Sequence, residues 1–211
     1  MDYLMKKLPV SYYKNRKEYI IFNNDCGVSD MARKGGIYEH YIFDYIREKI
    51  DIKGKNIIDI GANFGFHTLE FAELVEHGHV FSFEPQKLVY YQLCGNVILN
   101  GFDKNIGNAH LDACYDNGYN LVNVNTLDSY NFENVSILKI DVQGYEPRVL
   151  DGAKETINKN KPTIFIEVEE PQLNVYGMES KDIFERLDAL GYEYKKTIDA
   201  SHLVDYVATP K

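Results

Sequence analysis

Four carboxylates stand at or beside the ends of apolar runs. Asp59 lies in Ile57-Ile-Asp-Ile60, Glu84 follows Val80-Phe-Ser-Phe83, Asp141 follows Val135-Ser-Ile-Leu-Lys-Ile140, and Glu167 follows Thr163-Ile-Phe-Ile166. Runs of this length read as buried strands. Acids at strand ends can accept a proton or a hydroxyl hydrogen bond, pair with an ammonium group, or hold a hard cation. Beside Asp59 lies the turn Gly61-Ala-Asn-Phe-Gly65, followed by a helical pattern through Leu69, Phe71, Ala72 and Val75. Strand, glycine turn and helix form the usual ligand-binding unit of open α/β sheets. The same glycines would also serve an ordinary strand-to-helix turn.

The spacing narrows the ligand. A dinucleotide turn needs G-x-G-x-x-G and a phosphate-binding loop needs G-K-[ST]; here Ala62 breaks the first pattern and Phe66-His67 follow Gly65. An acid before the turn suits an amino group, and the amides opening the helix suit a carboxylate. Gly61 is expected to let the ligand approach the backbone. Glu84 follows Gly61 by about 20 residues, the separation at which an acid accepts ribose hydroxyls. S-adenosylmethionine carries an ammonium, a carboxylate and a ribose.

These residues need a sheet to bring them together. Helical patterns follow the strands: one from Ile37, with Ile42, Tyr45 and Ile46 on one face; one to Leu99, with Leu88, Tyr91, Val97 and Ile98 as core candidates; one through Val149, Leu150, Ala153 and Ile157; and one from Ser180, read as its N-cap. A weaker strand lies near Ile106–Leu111, with an extended connection near Val122–Leu127. Tyr192–Thr197 and Asp205–Thr209 read as a closing hairpin. Alternating strands and helices predict an α/β fold: a mostly parallel sheet with helices on both faces and an antiparallel edge.

The 211 residues are expected to form one domain, with residues 1–50 a helical cap over the acceptor site and 51–211 the core. A net charge of −9 argues against nucleic acid as a partner. No apolar run reaches the roughly 18 residues of a membrane span, and the N-terminus lacks a signal-peptide core. Cys26, Cys94 and Cys114 have no metal spacing and read as reduced thiols, so a cytoplasmic setting is expected. The sequence selects neither a monomer nor a homodimer.

The segments Asp59-Ile-Gly-Ala-Asn-Phe-Gly-Phe-His-Thr68, Phe83-Glu-Pro85, Thr126-Leu-Asp128, Leu138-Lys-Ile-Asp-Val-Gln-Gly-Tyr-Glu146 and Val149-Leu-Asp-Gly-Ala153 resemble, in order, the motifs of the FkbM family of S-adenosylmethionine-dependent methyltransferases. The match spans about residues 36 to 170. Gln143 stands where the family usually has glutamate. The resemblance implies a class I methyltransferase (Rossmann-like) sandwich of seven strands, and O-methylation of sugars or secondary metabolites. It implies that Asp59, Gly61, Asn63 and Gly65, with Thr68 nearby, hold the methionyl tail. Glu84 would take the ribose, Asp112 and Ala113 would lie near adenine, and Glu39 would fold over the cofactor. Asp141 would face the transferred methyl and the acceptor.

Methyl transfer to a hydroxyl is an in-line displacement in which the hydroxyl must lose its proton. Asp141 is the first candidate base, with Glu167 beside it. A divalent cation, magnesium or manganese, held by Asp141 and Glu167 is the second route. His67 is a further candidate base, though packing on its own helix is the commoner role. Tyrosines crowd the N-terminal third, and an aromatic face with a polar tip suits a sugar ring. The leading expectation is therefore a sugar O-methyltransferase acting on a small or glycan acceptor. A nucleotide-sugar dehydrogenase would need G-x-G-x-x-G and Tyr-x-x-x-Lys, which are lacking. A cofactor-binding scaffold without turnover would have no need of four strand-end acids.

Overall fold

The computed structural model describes residues 10–12, 17–21, 28, 38–102, 106–110, 125–197 and 205–211. Asp112 and Ala113 lie outside them. So do residues 122–124 of the extended connection; its last residue, Leu127, opens a 3-10 turn, Leu127–Tyr130.

The main sheet has seven strands: β3 (Asn56–Ile60), β4 (Val80–Phe83), β5 (Ile106–His110), β6 (Val135–Ile140), β7 (Thr163–Glu167), β8 (Tyr192–Lys196) and β9 (Asp205–Pro210), in the order β5-β4-β3-β6-β7-β9-β8. The pairs from β5 to β7 are parallel, and β9 runs antiparallel to both β7 and β8. The α/β fold and antiparallel edge expected from the sequence are present. Parallel strands need a helix to return each crossover, which places apolar side chains on both sheet faces. Ile57, Ile58, Ile137, Leu138 and Ile164 are accordingly buried.

The helices are α1 (His40–Lys49), α2 (Phe66–Leu74), α3 (Lys87–Leu99), α4 (Glu146–Asp151), α5 (Lys154–Asn160), α6 (Glu170–Val175) and α7 (Ser180–Ala189). The helical pattern expected from Val149 to Ile157 is broken at Gly152-Ala153. Asp128 accepts hydrogen bonds there from the amides of Glu155 (3.1 Å) and Thr156 (2.8 Å), capping α5. α7 is capped by Glu179 rather than Ser180, because Asp182 returns a bond to the Glu179 amide and completes a capping box.

On α3, Leu88, Tyr91 and Ile98 are exposed, contrary to the core assignment; Val97 is buried with Leu93 and Asn96. Apolar residues run almost around this helix, so periodicity could not choose its face. Asn96 chooses it by donating to the Phe64 carbonyl at 2.8 Å. A buried amide without that partner would cost about 1–3 kcal/mol.

The first fifty residues are not wholly helical. Val10–Tyr12 (β1) and Glu18–Ile20 (β2) pair as an antiparallel ladder. The β2 segment packs on α2 and α3. Tyr19 stacks on Phe66 at 5.7 Å, Lys17 reaches Glu70 at 2.5 Å, and Asn100 bonds both backbone groups of Glu18. Among the described residues no helix is long and apolar enough to cross a membrane.

Candidate active site

The strand order reverses between β3 and β6, so the chain opens a crevice at their carboxyl ends. Gly61 sits at that point with φ 84°, and a Cβ there would lie 1.7 Å from the Asp141 carbonyl oxygen. The close approach expected of a ligand is made instead by the neighbouring strand. Gly65, at φ 93°, is held by Leu93, whose Cδ1 would lie 2.5 Å from an added Cβ. Asn63 takes the left-handed conformation (φ 51°), and its side chain accepts from the Phe64 amide at 2.8 Å.

Asp59 is fully buried on β3. Thr68 donates to its Oδ2 at 2.7 Å and shares a 2.9 Å contact with Ser82. Thr68 thus orients Asp59 and does not itself reach the crevice. Asp59 Oδ1 has no hydrogen-bond partner. A buried carboxylate oxygen left without one is costly, and a ligand donor would satisfy it. Glu84 accepts from the Asn63 amide (2.9 Å) through Oε2 and the Gln86 amide (2.8 Å) through Oε1. Burial pushes its carboxyl up to about 7 against those two bonds.

At the neighbouring strand ends, Glu39, Lys139, Asp141, Glu167 and Asp205 line one crevice. Lys139 is buried, with Nζ 3.1 Å from Asp141 Oδ2. Burial disfavours its ammonium, but the charges of Asp141, Asp59 and Glu39 outweigh this and hold the lysine charged. Burial alone would push Asp141 up. Lys139 and hydrogen bonds from Glu167 and Gln143 prevail and hold it below the usual carboxylate range. Glu167 goes the other way: burial, then the charge of Asp141, push it up to about 10, so it is protonated at neutral pH. Gln143, at φ 55°, donates to Asp141 Oδ1 (3.1 Å) and Glu167 Oε2 (3.0 Å). Glu146 fixes this loop by accepting from the amides of Val142 (3.0 Å) and Gly144 (3.1 Å).

Asp141 and Glu167 do not fit a divalent cation. Lys139 and Gln143 already bond Asp141, Gln143 also bonds Glu167, and among the described residues no group of three or more His, Cys, Asp or Glu is placed to hold a metal ion.

Glu39 precedes α1 in the left-handed conformation and makes no side-chain cap bond. Its carboxylate lies 3.0 Å from His67 Nε2, and the imidazole packs on Phe43 and Phe71. His67 is therefore a packed residue that carries Glu39. Tyr41 donates to Asp205, and burial together with Glu39 and Asp205 pushes its phenol far up. Of the described N-terminal tyrosines, Tyr19 is core, Tyr45 packs edge-on to Phe165 and Tyr38 edge-on to His67, whereas Tyr41 meets the Asp205 carboxylate.

The family profile described as the methyltransferase FkbM domain matches residues 59–194, most of the described sheet and all the acids above except Glu39 and Asp205. The chain belongs to the FkbM methyltransferase family. Its fold is the class I methyltransferase fold. A methyltransferase FkbM from Methylobacillus flagellatus shares it at 18% identity and TM-score 0.59, over 77% of this chain and 45% of that one. This FkbM chain thus spans less than half the length of that protein. A SAM-dependent O-methyltransferase from Thermotoga maritima superposes at TM-score 0.61 with 16% identity, covering 92% of this chain and 73% of its own. An O-methyltransferase from Bacillus cereus, in complex with SAH, gives 0.56 and 15%, covering 82% of each. No curated protein matches the chain.

Lys139 and Asp205 also line the acid crevice, and sequence reasoning did not find them. Asp205 faces Glu167 directly in the β7–β9 register. The signal for Lys139 was a lysine inside an otherwise apolar strand.

Proposed function

We propose that this FkbM-family chain is an S-adenosylmethionine-dependent O-methyltransferase whose acceptor is a hydroxyl of a sugar in a glycan or glycoconjugate. The observation that carries the reading is the position of Asp141. Its backbone carbonyl packs on Gly61 of the glycine turn, and its carboxylate lines the acid crevice. One residue therefore borders both the cofactor turn and the acceptor crevice.

The cofactor supplies a methyl group on a sulfonium. When bound, it would give up that methyl carbon to the acceptor oxygen and leave as a neutral thioether, its sulfur keeping the electron pair of the broken carbon–sulfur bond. Asp59 Oδ1 and the turn at Asn63 and Gly65 would receive its methionyl end, and Glu84, when ionised, would accept the ribose hydroxyls. Glu39, on the crevice lining, would face the bound cofactor. The hydroxyl proton passes to Asp141. Its side chain is 25% exposed, so the proton can leave to water. Protonated Glu167 donates to Asp141 and keeps it aimed. Alignment supplies most of the acceleration, and proton acceptance adds about 10²–10⁴-fold. The chain acts as one domain, and among the described residues of 1–50, Tyr38, Glu39 and Tyr41 are the ones that would border the acceptor.

The test is incubation with methyl-labelled S-adenosylmethionine and a panel of oligosaccharides, read by mass spectrometry. The reading expects a mass gain of one methylene unit on a sugar hydroxyl, with or without chelator. Labelling confined to non-sugar metabolites would overturn the sugar assignment.

A further inference from the structure

We propose that Tyr145, Val175 and Tyr176 form the platform on which the acceptor ring lies, and that the acid crevice at the same end of the sheet selects an uncharged or cationic sugar over an anionic one. This rests on the methyl-transfer reading of the crevice.

Three observations place the platform. Tyr145 follows β6 and Tyr176 closes α6 after β7; β6 and β7 are parallel, so both tyrosines emerge at the sheet edge that carries Asp141 and Glu167. Their rings meet edge-to-face, with centroids 5.5 Å apart and planes at 72°. Yet both rings are 39% exposed and Val175 is 77% exposed, so packing alone does not account for this apolar surface.

The platform is also rigid. Glu146 binds two amides of the loop that ends in Tyr145. Gly144, at φ 98°, presses on α6, where an added Cβ would lie 2.3 Å from the Gln172 carbonyl oxygen. The loop after β6 and helix α6 thus hold the two tyrosines in one relation. A fixed aromatic surface costs little conformational entropy on binding. A sugar presents an apolar C–H face that suits it, with hydroxyl edges left to reach carboxylates.

Charge sets the selectivity. Glu39, Asp141 and Asp205 line the crevice, and Lys139 is buried beneath them and paired with Asp141. A uronate, sulfate or phosphate on the acceptor would meet like charge with no exposed cation among the lining residues. A hydroxyl or ammonium would meet acceptors.

The experiment is a glycan array of matched neutral, amino, uronic and sulfated oligosaccharides, probed with protein saturated with S-adenosylhomocysteine. The wild type should retain neutral or amino glycans. The Tyr145→Ala/Tyr176→Ala protein should lose at least tenfold of that binding, with nucleoside affinity unchanged within about twofold. The corresponding Phe pair should keep it. If the double alanine variant loses the nucleoside as well, Tyr176→Ala alone is held to the same criterion. Retention of only uronic or sulfated glycans, unchanged binding in the alanine variants, or no glycan retained by protein that binds the nucleoside would overturn the platform. A wild type that does not bind the nucleoside would overturn the methyl-transfer reading itself.

Discussion

Lys139 Nζ lies 3.1 Å from Asp141 Oδ2, and the lysine is buried beneath the crevice. Burying an ammonium costs several kcal/mol unless carboxylates surround it, so the pair is a unit. Its consequence for chemistry is an Asp141 that stays ionised. In Lys139→Met that hold is lost and the Asp141 pKa rises. The acidic limb of the pH–rate profile should therefore move to higher pH, and stability should fall by about 3–5 kcal/mol. A destabilised variant with an unmoved profile would make Lys139 merely structural.

Asp141→Asn should reduce methyl transfer by about 10²–10⁴-fold. Calorimetry should still find S-adenosylmethionine affinity within a few fold of wild type. Full activity would remove Asp141 from the mechanism.

Glu167→Gln should behave oppositely. Glu167 is protonated at neutral pH, so an amide that donates to Asp141 reproduces its working state. Turnover should stay within a few fold of wild type. A loss as deep as that of Asp141→Asn would mean that Glu167 itself exchanges the proton.

Cofactor affinity should depend on Glu84. Its carboxyl is raised to about 7, so below that pH it is protonated and has lost acceptor capacity for a ribose. Affinity should increase from pH 6 to pH 8, and Glu84→Gln should be weaker and flat across that range. For stability the sign is reversed. A carboxyl raised above its unfolded value favours the folded state at low pH, and this contribution is lost between about 4.5 and about 7 as pH rises.

Gly61→Ala should cost at least about 3 kcal/mol, lowering Tm by roughly 6–12 °C, because the new Cβ would collide with the Asp141 backbone at a positive φ. Gly101→Ala is the control. Its φ is 72°, but nothing lies within 4 Å, so only the strain of about 1–2 kcal/mol applies. Equal losses would show that strand contact plays no part.

Much of this was legible in the sequence, for definable reasons. Apolar runs carrying acids placed Asp59, Glu84, Asp141 and Glu167 at one end of the sheet, because parallel strands bring their carboxyl ends together. Asp205 was not legible, since its place opposite Glu167 depends on the β7–β9 register, which links distant segments. Gln143 read as a missing charge. In three dimensions it bridges two carboxyls, where a further acid would find no cation of its own. Gly61 was correctly marked as a glycine position, but the atom that requires it belongs to a neighbouring strand. Leu88, Tyr91 and Ile98 were misplaced because a helix that is apolar on nearly all sides does not declare its buried face.

The most direct measurement is calorimetric titration of the purified protein with S-adenosylhomocysteine and, separately, NAD. The account predicts one nucleoside bound per chain and no heat from NAD. Heat from NAD alone would contradict it.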